Sequence, residues 1–153
     1  MLKLARKVEY GLISIVHIGS KPDGELATAR EISEFYNIST DTLGKVLQDL
    51  RRHQLVESIQ GVNGGYRLKR SLTEMTLGDV IEAIEGPIHV APCTCVNYVC
   101  HQEHSCNIKG PIFHFQDRLM QFLYSLSLAE FLEKPELTPA ITKTIAHVPM
   151  IND

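Results

Sequence analysis

All four cysteines of this 153-residue chain fall in one short stretch, "PCTCVNYVCHQEHSC" at 92–106. Thiolates are soft, electron-rich donors that suit iron–sulfur clusters and zinc, and a group of reduced thiols can equally serve as a disulfide switch. The spacing Cys95-x4-Cys100-x5-Cys106 leaves enough chain between sulfurs to wrap a cluster from one side. The paired C-x2-C knuckles usual in zinc fingers are absent. Cys93-Thr94-Cys95 is too tight for both thiols to be well placed. Cys100 and Cys106 are therefore the expected ligands, with Cys95 preferred to Cys93 as the third. His101 and His104 are further donors in the same loop, although histidines in such loops mostly face water.

The surroundings favour metal or redox chemistry over structural disulfides. No apolar run reaches the roughly 18 residues needed to span a bilayer. The opening "MLKLARKVEYGLISIVHIG" has the outline of a signal peptide, but Glu9 and His17 interrupt it and no small-residue cleavage site follows. It reads as a first helix, which puts the chain in the cytoplasm, where thiols stay reduced. No G-x-G-x-x-G, P-loop or nucleophile–base pairing suggests an enzyme. The net charge of −3 hides an asymmetry: residues 1–72 hold 11 Lys+Arg against 8 Asp+Glu, and residues 73–153 hold 4 against 10. A basic front and an acidic back fit a protein that turns one face to a polyanion.

The basic front has a legible order of elements. Leu4, Val8, Leu12, Ile15 and Val16 make a helical stripe over 2–19, ended by the turn cluster "KPDGE" at 21–25. Thr28 with Glu31 three residues on is a capping box that starts the next helix, and Asn37 closes it. Ser39 opens a further short helix with Leu43, Val46, Leu47 and Leu50 on one face. Thr40, Asp41, Thr42, Lys45, Gln48, Arg51 and Arg52 occupy the other. Two short helices joined by a tight turn, the second polar outward, have the form of a helix-turn-helix. In "LVESIQGVNGGYRLKR" two alternating runs flank Gly61, Asn63, Gly64 and Gly65, residues that tolerate positive φ. This predicts a wing whose small tip lets backbone approach phosphates, with Arg67, Lys69 and Arg70 at its base.

Thr76 with Asp79 caps a fourth helix, which Gly86-Pro87 stops. From Ile112 onward, Ile112, Phe115, Leu119, Phe122, Leu126 and Ala129 make a heptad-like seam expected to pack against a twin helix in a homodimer. Ser127 and Glu130 mark a point where that helix would break and restart. The expected fold is mainly α with a small β-hairpin wing. A winged helix-turn-helix domain spans 1–90, a cysteine-rich cluster-binding loop 91–110, a dimerisation helix 111–134 and a loose tail 135–153.

At this point specific stretches resemble a known family. They are "EYGL" at 9–12, "AREISEFYNIS" at 29–39, "LGKVLQDLRRHQLVESIQGVNGGYRL" at 43–68, "TLGDVIEAIEG" at 76–86 and the cysteines at 95, 100 and 106. Together they are similar to the BadM/IscR/NsrR group of bacterial winged-helix regulators over roughly residues 1–133. The resemblance implies a homodimeric transcription regulator whose long helices cross at the dimer interface. It also implies a cysteine loop that holds an iron–sulfur cluster, [4Fe–4S] in preference to [2Fe–2S], which sets affinity for a near-palindromic double-stranded DNA operator. The spacing is closest to the NsrR-like branch. The IscR-like branch uses a histidine three residues after the last cysteine, and this chain has Lys109 there. The NsrR-like branch can use an acidic residue from the first helix of the partner subunit, and Glu9 stands at the matching position. The implied signal is nitric oxide, oxygen or redox state, or iron status, and no membrane partner is expected.

For DNA, Ser39, Thr40, Asp41, Thr42 and Lys45 are the expected base-side residues. Arg51, Arg52 and the wing residues Gly64, Gly65 and Tyr66 are expected near phosphates. One departure bears on the wing: the family often carries an arginine before the wing glycine, and here it is Gln60, which exploits a narrow minor groove less well. Two alternatives stand beside the cluster: a thiol–disulfide switch among the four cysteines, and a structural zinc module serving protein contacts.

Overall fold

The computed structural model describes residues 3–133, so the tail expected at 135–153 lies outside the described residues. Five helices and one antiparallel hairpin follow in the order α1 (Arg6–Gly19), α2 (Ala29–Tyr36), α3 (Thr40–Arg52), β1 (Val56–Ile59), β2 (Gly65–Leu68), α4 (Leu77–Glu85) and α5 (Lys109–Ser125). This is the winged-helix arrangement that the sequence predicts. No helix among the described residues is long and apolar enough to cross a membrane.

Local signals set the helix ends. Thr28 accepts from the backbone N–H of Glu31, whose carboxylate accepts from the Thr28 N–H, completing the expected capping box. Asn37 ends α2 with φ 52°, the left-handed conformation that asparagine tolerates. The buried Ser33 hydroxyl donates to the Ile38 carbonyl at 2.6 Å, which locks the turn into α3. Ser39 caps α3 by accepting from the Thr42 N–H. The apolar face of α3 then closes the core: Leu43, Val46, Leu47 and Leu50 are fully buried against a cluster that includes Ile15, Ile32, Leu55, Met75 and Val80. Burying each such side chain contributes about 1.5–3 kcal/mol.

The wing is held at its base as well as along its ladder. Val56 pairs with Leu68 and Ile59 with Gly65. Tyr66 also exchanges two backbone hydrogen bonds with Ala27, at 2.8 and 3.0 Å, which pins β2 to the segment ahead of α2.

The end of α5 differs from the expected seam. The helix stops at Ser125, and Leu126 is extended. The chain then turns back: the Leu126 carbonyl accepts from the Leu77 N–H at 2.9 Å, and the Leu128 N–H donates to the Met75 carbonyl at 2.9 Å. Ser127 and Glu130 form the capping box of a short 3-10 turn, Leu128–Phe131. Leu128 is fully buried and Ala129 packs on the core, so this segment adds to its own domain instead of extending a seam. The outward stripe of α5 is shorter. Ile108, just ahead of the helix, is 56% exposed, and Phe115 and Phe122 at seven-residue steps are 50% and 57% exposed. Among the described residues nothing covers this stripe fully, which is how a helix that pairs with a second copy presents its seam.

Candidate nucleic-acid interface and thiol cavity

The α3 face opposite the core is polar and open. Thr40, Asp41, Lys45, Gln48, Arg51 and Arg52 are exposed, and Thr42 is half-buried. Ser39 and Thr42 are bound to each other, the Ser39 hydroxyl donating to Thr42 Oγ1 at 2.8 Å, so both serve the cap. Arg52 is committed to Asp49 at 3.0 Å. Arg51 reaches only Ser58 on β1, at 3.4 Å, and among the described residues neither Arg51 nor Lys45 has a carboxylate within 4.0 Å. Their charge is therefore available to a phosphate backbone.

The wing-base cations are more engaged. Arg67 pairs with Glu57 at 2.6 Å, Lys69 donates to Gln54, and Arg70 lies 3.9 Å from Asp79. Of the four tip residues only Gly61 has a positive φ, 129°. Gly64 and Gly65 are required by crowding: a Cβ on Gly64 would overlap the Ile59 carbonyl, and one on Gly65 would sit 2.9 Å from the Ala27 carbonyl and from Leu26 Cβ. Tyr66 is half-buried and committed through its backbone to Ala27.

Gly44 escapes sequence reasoning. It lies in the middle of α3 on the exposed side, and a Cβ there would meet nothing within 4 Å. Helix periodicity sets it in one stripe with Arg51, two turns on, toward the wing. Glycine costs a helix interior about 1 kcal/mol relative to alanine. Among the described residues nothing packs against it, and its open side faces outward.

The cysteine loop folds on the head of α5. Cys93, Cys100 and Cys106 line one cavity of about 90 Å3, together with Tyr98, Glu103, Lys109 and Phe113. Cys95, the thiol that spacing prefers, is not among the lining residues. Cys93 lies in a 3-10 turn, Pro92–Thr94, with Cys95 just after it. Cys95 is already extended, so the two thiols leave the backbone in different directions and only Cys93 lines the cavity. All four thiols are free and half-buried. Lys109 donates to Glu103 at 2.6 Å. That bond holds the Glu103 carboxyl below the usual range and raises the Lys109 ammonium, with smaller contributions from Cys100 and Cys106. Glu103 and Lys109 belong to the cavity in a way the spacing of the cysteines does not reveal. His101 and His104 are exposed and do not line it. Within one protomer Glu9 pairs with Arg6 at 3.2 Å on α1 and does not line it either.

Three soft thiols around one small cavity are donors that an iron–sulfur cluster would accept. Among the described residues no three His, Cys, Asp or Glu side chains converge on one point.

Comparison with known proteins agrees with the fold. Residues 4–134 match the Rrf2 family, described as an iron-dependent transcriptional regulator. The fold is similar to that of CymR (YrzC), the global cysteine regulator of B. subtilis. The two are 28% identical with a TM-score of 0.72, and the match covers 89% of this chain and 100% of that one. Staphylococcus aureus CymR, 23% identical, matches over 87% and 100% of the two chains with a TM-score of 0.66. T. potens IscR, 22% identical, matches over 89% and 92% with a TM-score of 0.65, and these two carry the fold alone. The chain belongs to the Rrf2 family, transcriptional regulators that bind DNA and act as dimers, and is a regulator rather than an enzyme.

Proposed function

We propose that the chain is a homodimeric regulator whose grip on a near-palindromic operator is set by an iron–sulfur cluster in the cysteine loop, [4Fe–4S] in preference to [2Fe–2S]. The observation that carries this reading is the shared cavity of Cys93, Cys100 and Cys106 at the head of α5. Cys100 and Cys106 are the firm ligands. The third comes from the Cys93-x-Cys95 pair, with Cys93 gaining support from its position on the cavity. Glu9 of the partner subunit is the proposed fourth. A carboxylate is a hard ligand on a soft centre, so that corner is labile. When bound, the cluster supplies a crosslink between loop and reading head that a small molecule such as nitric oxide or oxygen can break.

The chain's own residues do the rest. Ile108, Phe115 and Phe122 pair α5 with its copy and hold two α3 helices roughly one DNA turn apart. Thr40, Asp41 and Lys45 meet base edges, and Arg51 meets phosphate. Coupling of about 1–3 kcal/mol between loop and reading head would change operator affinity about 5- to 150-fold. Purification without oxygen under iron-replete growth, followed by an absorption spectrum and an iron and sulfide assay, tests the reading. A colourless, iron-free protein defeats it.

A second reading, a thiol–disulfide switch, is favoured by the free, half-buried state of all four cysteines and by the likeness to B. subtilis CymR. It predicts disulfide-linked loop peptides after mild oxidation and unchanged DNA binding on iron removal.

A further inference from the structure

Among the described residues, the side-chain hydrogen bonds that fasten the segment carrying Cys93 and Cys95 to α5 all come from Gln116. Gln116 lies in the second turn of α5. Its Nε2 donates to the Ile88 carbonyl at 2.7 Å, and its Oε1 accepts from the Val90 N–H at 2.8 Å. The same oxygen lies 3.3 Å from the Thr94 hydroxyl, which also donates to the Ala91 carbonyl at 2.8 Å. Thr94 is the residue between the two cysteines. One amide therefore uses both of its ends to clamp the segment leaving α4 and the turn that carries Cys93 on the cavity.

The clamp spans 22 to 28 residues of sequence and is half-buried, so water replaces a lost partner only in part. It is also directional. The backbone N–H of Val90 and the carbonyl of Ile88 fix which end of the amide faces which, so no other side chain of this length does both jobs. Cys100 and Cys106 have no bond to it. They approach the cavity from the following stretch, where Lys109 and Glu103 are paired.

We infer that Gln116 is a positioning residue that transmits the state of the Cys93–Cys95 turn to α5, the helix that pairs the reading heads. This rests on the proposed control of DNA binding by the thiol loop. Displacing either thiol moves Thr94, Thr94 moves the amide, and the amide sits on α5. Without the clamp the turn and the helix move independently.

Full-length Gln116→Leu and Gln116→Glu test this against wild type. Leucine removes both bonds; glutamate keeps the acceptor for Val90 and loses the donor to Ile88. The first readout needs no cluster and no DNA: iodoacetamide labelling of reduced protein, followed cysteine by cysteine by peptide mass spectrometry. Cys93 and Cys95 should label at least about threefold faster in Gln116→Leu, with Gln116→Glu between, while Cys100 and Cys106 keep their wild-type rates. The second readout is affinity for a duplex selected by wild type from a random-sequence pool, before and after alkylation of the loop. Gln116→Leu should lose most of the wild-type change while binding the duplex normally before alkylation.

Equal labelling of Cys93 and Cys95 in all three proteins overturns the clamp, as does faster labelling of all four cysteines alike, which marks general loosening. If wild type binds the duplex identically before and after alkylation, control by the thiol loop fails, and the labelling pattern still decides whether Gln116 holds the turn.

Discussion

Replacing Gly44 by alanine should make the protein more stable and worse at its task. Beyond the backbone of α3 itself, a methyl there meets nothing within 4 Å among the described residues, and α3 is regular on both sides, so alanine brings only its helix preference. That preference is about 0.8–1 kcal/mol in a helix interior. For a chain of this size it corresponds to a rise in Tm of roughly 2–4 °C. If the Gly44–Arg51 stripe lies against the groove, the same methyl is an overpacked group at the DNA interface, costing about 1–3 kcal/mol, or a loss of about 5- to 150-fold in affinity. The assay pairs a thermal melt with fluorescence anisotropy on a selected duplex. Gly110→Ala is the control, since Gly110 also lies in a helix with open space at its Cβ but on α5; it should leave operator affinity unchanged. A stabilised Gly44→Ala that binds like wild type would refute the reasoning, because the smallness of Gly44 would then answer to nothing outside the protomer.

Other substitutions separate the parts of the interface. Lys45→Gln and Arg51→Gln should each weaken binding across sequences and reduce the salt slope of log Kd by about one, read from titrations at several ionic strengths. Arg52→Gln, already paired with Asp49, should change the slope less. Gly65→Ala forces a methyl against the Ala27 carbonyl and should cost about 1–3 kcal/mol in urea unfolding, with weakened DNA binding as the wing loses its anchor. Glu31 is held below its ordinary value of 4.5 first by the hydrogen bond from Lys21 and also by His17 and the Thr28 N–H. A depressed carboxyl stabilises the fold above 4.5 and loses that contribution as pH falls through its lowered value. Glu31→Gln should therefore flatten the acid limb of the stability profile.

Most of the reading head was legible because its signals are local. Thr28–Glu31, Ser39 and Thr76–Asp79 are caps that act within three residues, and the apolar face Leu43, Val46, Leu47, Leu50 is a helical period. What the sequence concealed depends on distant partners. Ser127 and Glu130 do mark the break after α5, but they do not show that backbone bonds to Leu77 and Leu72 draw Leu126 and Ala129 out of the heptad and back onto the core. Gly64 and Gly65 look like flexible tip residues, yet crowding by the Ile59 and Gly61 backbone at Gly64 and the docking of β2 on Ala27 at Gly65 explain their lack of a side chain. The choice between Cys93 and Cys95 depends on a 3-10 turn fastened by Gln116, whose register no spacing rule carries. Gly44 is a mid-helix glycine like any other until the space around it is known.

The most direct test of the account is the affinity of one full-length protein for one selected duplex, measured without oxygen, with the loop loaded with iron and sulfide and again after the iron is stripped by a chelator. Control through the cavity of Cys93, Cys100 and Cys106 predicts dissociation constants that differ by about 5- to 150-fold. Identical constants in the two states, with iron content verified in each, would contradict it.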